Sequence, residues 1–284
     1  MDAWEQRAGN DMQARILCST GAFIGRPNGR DPRLMASYAA QLHCDGYEFL
    51  MFHDWHAQRD QIVHMVREEG LVCPVLHVEK QVGERLSRHE AGDWENAFAL
   101  FEKNCEMAQA IGAQKLVLHL WGGLPSDHHI DDNFACVDRL MAVAQAHQLL
   151  LTVENVVCAV ADPLTHLQAL HAAFPTLCFT VDTKMAAFHA QMEQMMAQAW
   201  LWQKDCVRHL HINDYAGGYK QWDQLRTLPI GQGHVDFAAF FAFLQRIHYA
   251  HTLTVEATCV QKDGRVDVQT LNRSLDFLHA HLPQ

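Results

Sequence analysis

LLLTVENVVCAVADPLTHLQALHAAFPTLCFTVD, residues 149–182, holds one complete strand–helix–strand unit. An apolar, β-branched run, LLLTVEN (149–155), leads to Asp162-Pro163, and a second run, LCFTVD (177–182), closes the segment. Asp followed by Pro reads as a helix N-cap with proline at the first helical position, where a missing N–H costs nothing. Apolar residues recur at helical spacing between the two runs. Both runs are nearly continuous in apolar character, as strands covered on both faces must be. The first ends at Glu154 and the second at Asp182.

The same alternation extends in both directions. Upstream lie ILCSTGAF (16–23), GYEFLMF (46–52), LVCPVLHV (71–78) and KLVLHLW (115–121); downstream lie VRHLHIND (207–214) and TLTVEAT (252–258). Helix signals fall between them. Asp31-Pro32 repeats the cap-and-proline pattern, Asp93 is placed to cap a helix that Gly112 stops after Ile111, and Asp236 precedes FAAFFAFLQRI. Eight strand–helix repeats in about 250 residues is the arithmetic of a (β/α)8 barrel. A doubly wound open sheet would carry a glycine-rich phosphate turn after its first strand, and GxGxxG is absent. The expectation is one barrel domain over 1–284, with residues 1–14 as a polar N-terminal extension.

Composition narrows the function classes. The net charge of −11 and the lack of a basic stripe disfavour a nucleic-acid grip and favour a small-molecule substrate. No apolar run approaches the ~20 residues of a membrane helix. The opening MDAWEQRAGNDMQ resembles neither a secretory nor a transit signal, so the expected location is the cytoplasm. Nine cysteines with no CxxC pair read as buried thiols, with Cys105 and Cys136 as helix packing residues. A Trp-rich segment at Trp200-Leu201-Trp202 suggests an exposed face for a homo-oligomer.

In such barrels the strands' C-terminal ends build the active site. The last four strands end in hard ligands, Glu154, Asp182, His211 and Glu256, which converge on one rim. Three carboxylates with little basic compensation would repel one another, and a bound cation removes that repulsion. Three carboxylates and one imidazole suit Mn²⁺, Mg²⁺, Co²⁺ or Zn²⁺. Two further histidines, His77 and His119, end earlier strands. They could bind a second metal bridged by Glu154, hold substrate oxygens, or orient the ligands. His209, two residues before His211, faces the same way but deeper.

The order of these motifs resembles the xylose isomerase-like TIM barrel superfamily, which includes sugar isomerases and epimerases and the endonuclease IV-like barrels. VEN (153–155), VDT (181–183), HIND (211–214), LPIGQGHVDF (228–237) and VEAT (255–258) follow the family order across essentially the whole chain. The resemblance implies that Glu154, Asp182, His211 and Glu256 are metal ligands, and that Glu154 and Glu256 are also the proton-transfer pair. One position departs: many members carry histidine three residues after the strand-six aspartate, and here it is Met185. With no Asp-x-His between Asp214 and Gly231, the three-zinc site of the endonuclease branch is incomplete.

For the substrate side, Arg26 and Arg30 flank the turn Pro27-Asn28-Gly29 and are placed to grip a phosphate or carboxylate. Lys184 falls on the rim beside Asp182. Trp121, Phe23, Phe188 and Trp222 offer faces to a sugar or close the barrel top. Arg226, His189 and Tyr215 are further loop candidates. The expected function is a metal-dependent isomerase or epimerase of a sugar, sugar phosphate or keto-polyol, working through an enediolate. The alternatives are a phosphodiesterase acting on abasic DNA, a keto-sugar or keto-inositol dehydratase or lyase, and a non-catalytic binding barrel.

Overall fold

Strand formation follows the apolar runs, but each strand uses only part of its run. In a computed structural model that describes residues 16–282 apart from 89 and 204, the strands are β1 (Ile16–Ser19), β2 (Gly46–Leu50), β3 (Val75–His77), β4 (Lys115–Leu118), β5 (Leu150–Glu154), β6 (Cys178–Asp182), β7 (Val207–Ile212) and β8 (Thr252–Val255). Each pairs in parallel with the next, and β8 returns to β1, closing a (β/α)8 barrel. The proposed 1–14 extension lies outside the described residues.

The runs outlast the strands because apolar residues continue under the helices after the chain leaves the sheet. After β1, the Ser19 hydroxyl accepts the Gly21 N–H at 3.2 Å and starts a 3-10 turn, Thr20–Ala22. Ala22, Phe23 and Ile24 are then buried outside the sheet.

The helix signals divide by where each aspartate points. Asp162 caps Pro163–Ala173 through the Thr165 N–H (2.9 Å), and Asp236 caps Phe237–Arg246 through the Ala239 N–H (2.9 Å). Gly112, at φ 81°, ends Asp93–Ile111. Asp93 itself does not cap that helix. Gly92 holds the cap position, and the Asp93 carboxylate instead pairs with Arg88. Asp31-Pro32 fails likewise: the helix starts only at Leu34, and Asp31 chelates Arg33. The Trp200–Trp202 segment is not an exposed face. Leu201 is buried, Trp200 stacks on His171 at 4.9 Å, and Trp202 packs on Phe243 while its N–H bonds the Met195 carbonyl. The cysteines are free thiols, although Cys44 and Cys178 are only half-buried. Cys105 and Cys136 are buried as expected. Among the described residues no helix is long and apolar enough to cross a membrane.

Inside the barrel the layers change character along the axis. Leu17, Val75 and Val117 form a small apolar cluster. Thr152, Thr180, His209 and Thr254 form a fully buried polar layer, tied by a 2.7 Å bond between the Thr152 and Thr180 hydroxyls. Each of those four residues lies two positions before a rim residue: Glu154, Asp182, His211 and Glu256. Period-two alternation therefore points all eight side chains inward.

Candidate functional site

The four strand-end side chains meet. Potential ligand atoms of Glu154, Asp182, His211 and Glu256 all lie within 4.8 Å of one another, and so do those of His77, His119 and Glu154. Glu154 belongs to both groups. Its Oε1 is 3.1 Å from His211 Nδ1, and its Oε2 is 2.7 Å from His119 Nε2 and 3.5 Å from His77 Nε2. Asp182 and His211 are fully buried; Glu256 is the most open of the set, with 17 % of its side chain exposed.

The donor and acceptor roles fit a cation. The His77 Nδ1–H donates to the Val78 carbonyl at 2.8 Å, so a neutral His77 turns a bare Nε2 toward the Glu154 carboxylate. Among the described residues the buried Glu154 Oε2 has no partner of good hydrogen-bond geometry, although His119 Nε2 stands 2.7 Å away. On the other side, the His211 Nε2–H faces both oxygens of Glu48 at 3.1 Å, leaving Nδ1 toward Glu154 and Glu256. At His77, and at His211 when it carries no proton on Nδ1, an acceptor faces an acceptor in a dry mouth, an arrangement that a bound cation would relieve. Glu154, Asp182, His211 and Glu256 could hold one divalent ion. His77 and His119 could hold a second that shares Glu154.

The titration behaviour follows from the same crowding. Burial pushes the Asp182 carboxyl up to about 6, against the pull of Lys184. Burial also disfavours the Glu154 anion, but His119 and His211 outweigh it and hold the group well below the usual range. Burial works against a charged His211, yet Glu256, Glu48 and Glu154 together raise it well above an ordinary histidine. His119 is lowered to about 4 by burial.

The family-like tripeptides owe their form to bonds between strand ends. Asn155 accepts the Asp182 N–H (2.6 Å) and donates to the Asp182 carbonyl (3.2 Å), fixing β6 against β5. Thr183 donates to the Asn213 carbonyl and accepts its N–H, fixing β7 against β6. The Asn213 amide then donates to both Asp182 (3.1 Å) and Glu256 (2.8 Å). Asp182 Oδ1 caps the helix Thr183–Phe188 through the N–H groups of Lys184 and Met185, which leaves Oδ2 for the cluster. Gly83 is required by close approach: a Cβ there would overlap the His119 carbonyl oxygen.

Glu48 was not legible as a site residue. It sits mid-strand in β2, fully buried, and also accepts from His209 Nε2 at 2.7 Å. His209 Nδ1 meets the Thr252 hydroxyl (2.6 Å), which in turn takes a bond from the Lys115 ammonium (2.7 Å). His209 is thus an interior residue one layer below the rim, as expected. This chain, running from Lys115 to Glu48, braces His211 from beneath. The only sequence cue was an acid inside an otherwise apolar run.

The substrate-side candidates are more dispersed. Lys184 is buried, 3.5 Å from Asp182 and 3.3 Å from the Thr227 hydroxyl. Burial opposes its charge, but Asp182, Glu256 and Glu154 together outweigh burial and keep its pKa raised. Arg30 lies over the Phe52 ring and pairs with Asp54 at 3.2 Å, and Arg26 is exposed; neither bonds the carboxylate cluster. Arg226 is exposed and lines a cleft of about 500 Å³ between the β7 and β8 loops, with Thr227, Gln232 and Thr258. Trp121, Phe23 and Phe188 are fully buried, and the Trp121 N–H bonds the Val156 carbonyl, so these rings pack rather than lie open. Trp222 is half exposed. Tyr215 and His189 are buried, the latter accepting the Cys158 N–H at 3.0 Å. Met185 is buried where a further ligand would stand.

Residues 36–281 match the family described as xylose isomerase-like TIM barrel. The chain belongs to this xylose isomerase-like family. Among solved members of similar fold is a D-allulose 3-epimerase from Methylomonas sp. in complex with D-allulose, at TM-score 0.71 and 18 % identity, covering 95 % of this chain and 97 % of that one. The 3-keto-D-glucoside 4-epimerase of E. coli aligns at TM-score 0.66 and 17 % identity over 94 % and 100 %. D-psicose 3-epimerase with D-tagatose, from Clostridium cellulolyticum, aligns at 0.65 and 13 % over 95 % and 100 %. At these identities the likeness speaks for the fold. No curated protein sequence is similar enough to count as a match.

Proposed function

We propose that this protein is a divalent-metal-dependent isomerase or epimerase of a keto sugar, with Glu154 and Glu256 as its proton-transfer pair. One observation carries the reading. Glu154 and Glu256, from β5 and from the end of β8, face the same His211 nitrogen at 3.1 and 3.4 Å. A substrate seated over that point lies between two carboxylates, each able to reach one face of the same carbon. The similar barrels named above are epimerases of D-allulose, a 3-keto-D-glucoside and D-psicose, which supports a keto sugar as substrate class.

A divalent ion, when bound, would draw charge from a substrate carbonyl and its neighbouring hydroxyl and so acidify the adjoining C–H. One glutamate takes that proton. The other returns one, to the opposite face in an epimerisation or to the neighbouring carbon in an isomerisation. The Lys184 ammonium, held beside Asp182, supports negative charge that develops on a substrate oxygen. His77 and His119 hold substrate oxygens or a second ion. Arg26 and Arg30 meet an anionic end of the substrate, for which Arg30 must exchange Asp54 for the ligand.

NMR in D₂O over a panel of ketoses and their phosphates, with Mn²⁺ or Mg²⁺ added, tests this. Deuterium should enter beside the carbonyl with wild type, and Glu154→Gln and Glu256→Gln should each lower turnover by about 10²–10⁴-fold. A product that lacks a β-leaving group would reassign the protein as a lyase or dehydratase. Variants that stay active while binding metal would remove the proton-transfer roles.

A second reading draws on the His77–His119–Glu154 cluster, which with its neighbour would hold two ions bridged by Glu154, as phosphodiester hydrolysis often uses. Met185 and the net charge of −11 weigh against it. Efficient incision of an abasic duplex by zinc-loaded protein, lost in Glu154→Gln, would favour it.

A further inference from the structure

A third cluster of ligand-type side chains stands at the barrel mouth and shares no residue with the Glu154 groups. Glu79 follows β3, two residues beyond His77, and only 3 % of its side chain is exposed. Asn104, on the helix Asp93–Ile111, fixes it from behind. The Asn104 amide donates to Glu79 Oε1 at 3.0 Å and accepts the Glu79 N–H at 3.1 Å. From the front come two imidazoles of the 3-10 turn His53–Gln58, which follows β2. His53 Nδ1 is 3.0 Å from Oε2, and His56 Nε2 is 2.5 Å from Oε1. The His-x-x-His spacing on one tight turn places the two rings 5.7 Å apart at 77°, both aimed at the same carboxylate.

Three side chains of metal-ligand type converge in this cluster. Among the described residues, the ion-pair partners of the Glu79 carboxylate are these two histidines, and Lys80 next to it is exposed. Each imidazole brings one ring nitrogen to within hydrogen-bond reach of a buried carboxylate that Asn104 holds in place. We propose that His53, His56 and Glu79 bind a divalent transition-metal ion, with Zn²⁺ the best match, at a site separate from the Glu154 cluster. Two imidazoles and one carboxylate are a donor set that zinc takes, with bonds of about 2.0–2.2 Å. Tetrahedral donors at that length lie roughly 3.3–3.5 Å apart, so the observed separations need only a small outward shift. Asn104 supplies the outer hydrogen bond that orients a ligating carboxylate. His53, with 53 % of its side chain exposed, leaves an entry path and an open fourth position for water. The ion ties the β2 loop to the segment that follows β3, the strand that carries His77.

Zinc counting on the full-length protein tests the site. After Zn²⁺ loading and removal of excess, a His53→Ala/His56→Ala variant should carry one zinc per chain fewer than wild type, while Asp182→Asn should keep this ion and lose one elsewhere. Both histidines lie on a surface turn, so the variant should retain the wild-type far-UV circular dichroism. Zinc should also raise the unfolding temperature of wild type more than that of the variant, because the ion binds only the folded turn. Diffraction at the zinc edge should give a peak between His56 and Glu79. Equal zinc content in wild type and variant, or edge peaks confined to the Glu154 cluster, would overturn the proposal and leave Glu79 held by hydrogen bonds alone. That result would not touch the proton-transfer reading, which rests on other residues.

Discussion

Buried carboxylates occur in two regions of this barrel, and their partners differ. In the loops, Asp127 accepts N–H groups from Ala159, Val160 and Ala161 at 2.7–2.9 Å, and His166 adds a fourth bond. Asp214 likewise gathers the N–H groups of Tyr215, Gly231, Gly233 and Val235. A Cβ on Gly233 would overlap that carboxylate, so the GQG turn needs its glycine there. At the mouth, one Glu154 oxygen has no hydrogen-bond partner among the described residues, and three carboxylates share one imidazole nitrogen's neighbourhood. Backbone N–H groups satisfy an anion permanently, and such residues hold loops. An anion left to face other acceptors is held for something that arrives.

Glu48 is the sharpest test of that division, because it lies just beneath the mouth and its oxygens are taken by His209 and His211. Its bonds to His211 would brace the proposed metal site from below, so Glu48→Gln should weaken metal binding by about 10–100-fold while the fold persists. Competition with a chelator reads the affinity, and circular dichroism reads the fold. Unchanged affinity would mean that His211 needs no brace.

The loop clamp should behave in the opposite way. Asp127→Ala strands three backbone N–H groups and should cost about 1–3 kcal/mol of stability with little effect on metal content. Burial raises the Asp127 carboxyl, but its N–H and histidine donors overcome this and hold it well below the ordinary value. The clamp's contribution is therefore present above the unfolded-state pKa of about 3.9 and fades as pH falls below it. Denaturant titrations of wild type and variant should differ most near neutral pH and converge in acid. A gap that widens in acid would contradict the assignment.

The smallest effect is expected where a carboxylate is exposed. Asp54 pairs with Arg30 in solvent, so Asp54→Asn should change stability by less than about 1 kcal/mol. If Arg30 grips an anionic substrate end, the same change frees its guanidinium and should lower KM for phosphorylated sugars relative to plain ones. An equal KM for both would remove Arg30 from the site.

The barrel, and the convergence of Glu154, Asp182, His211 and Glu256 at its rim, were legible because both rest on local rules. A strand buried on both faces must be an apolar run, and an acid or histidine at its C-terminal end stands out against that run. His77 and His119 were visible for the same reason. Asp162 and Asp236 were legible as caps because their partners lie three residues ahead. Asp31 and Asp93 carry the same local signal, but nearby arginines claim them. Trp200 and Trp202 read as an exposed face until a distant histidine and phenylalanine covered them.

The sequence alone thus determined the strand–helix alternation, the closure into eight units, and which side chains end the late strands, since periodicity and burial act over a few residues. Only the tertiary structure decided the roles that depend on partners far along the chain. Glu48 meets His211 across 163 positions, Asn213 spans Asp182 and Glu256, and Glu79 meets His53 and His56 from a neighbouring loop. The physical reason is that a buried polar group takes its function from what satisfies it, and barrel closure brings that partner from a strand the local sequence does not contain.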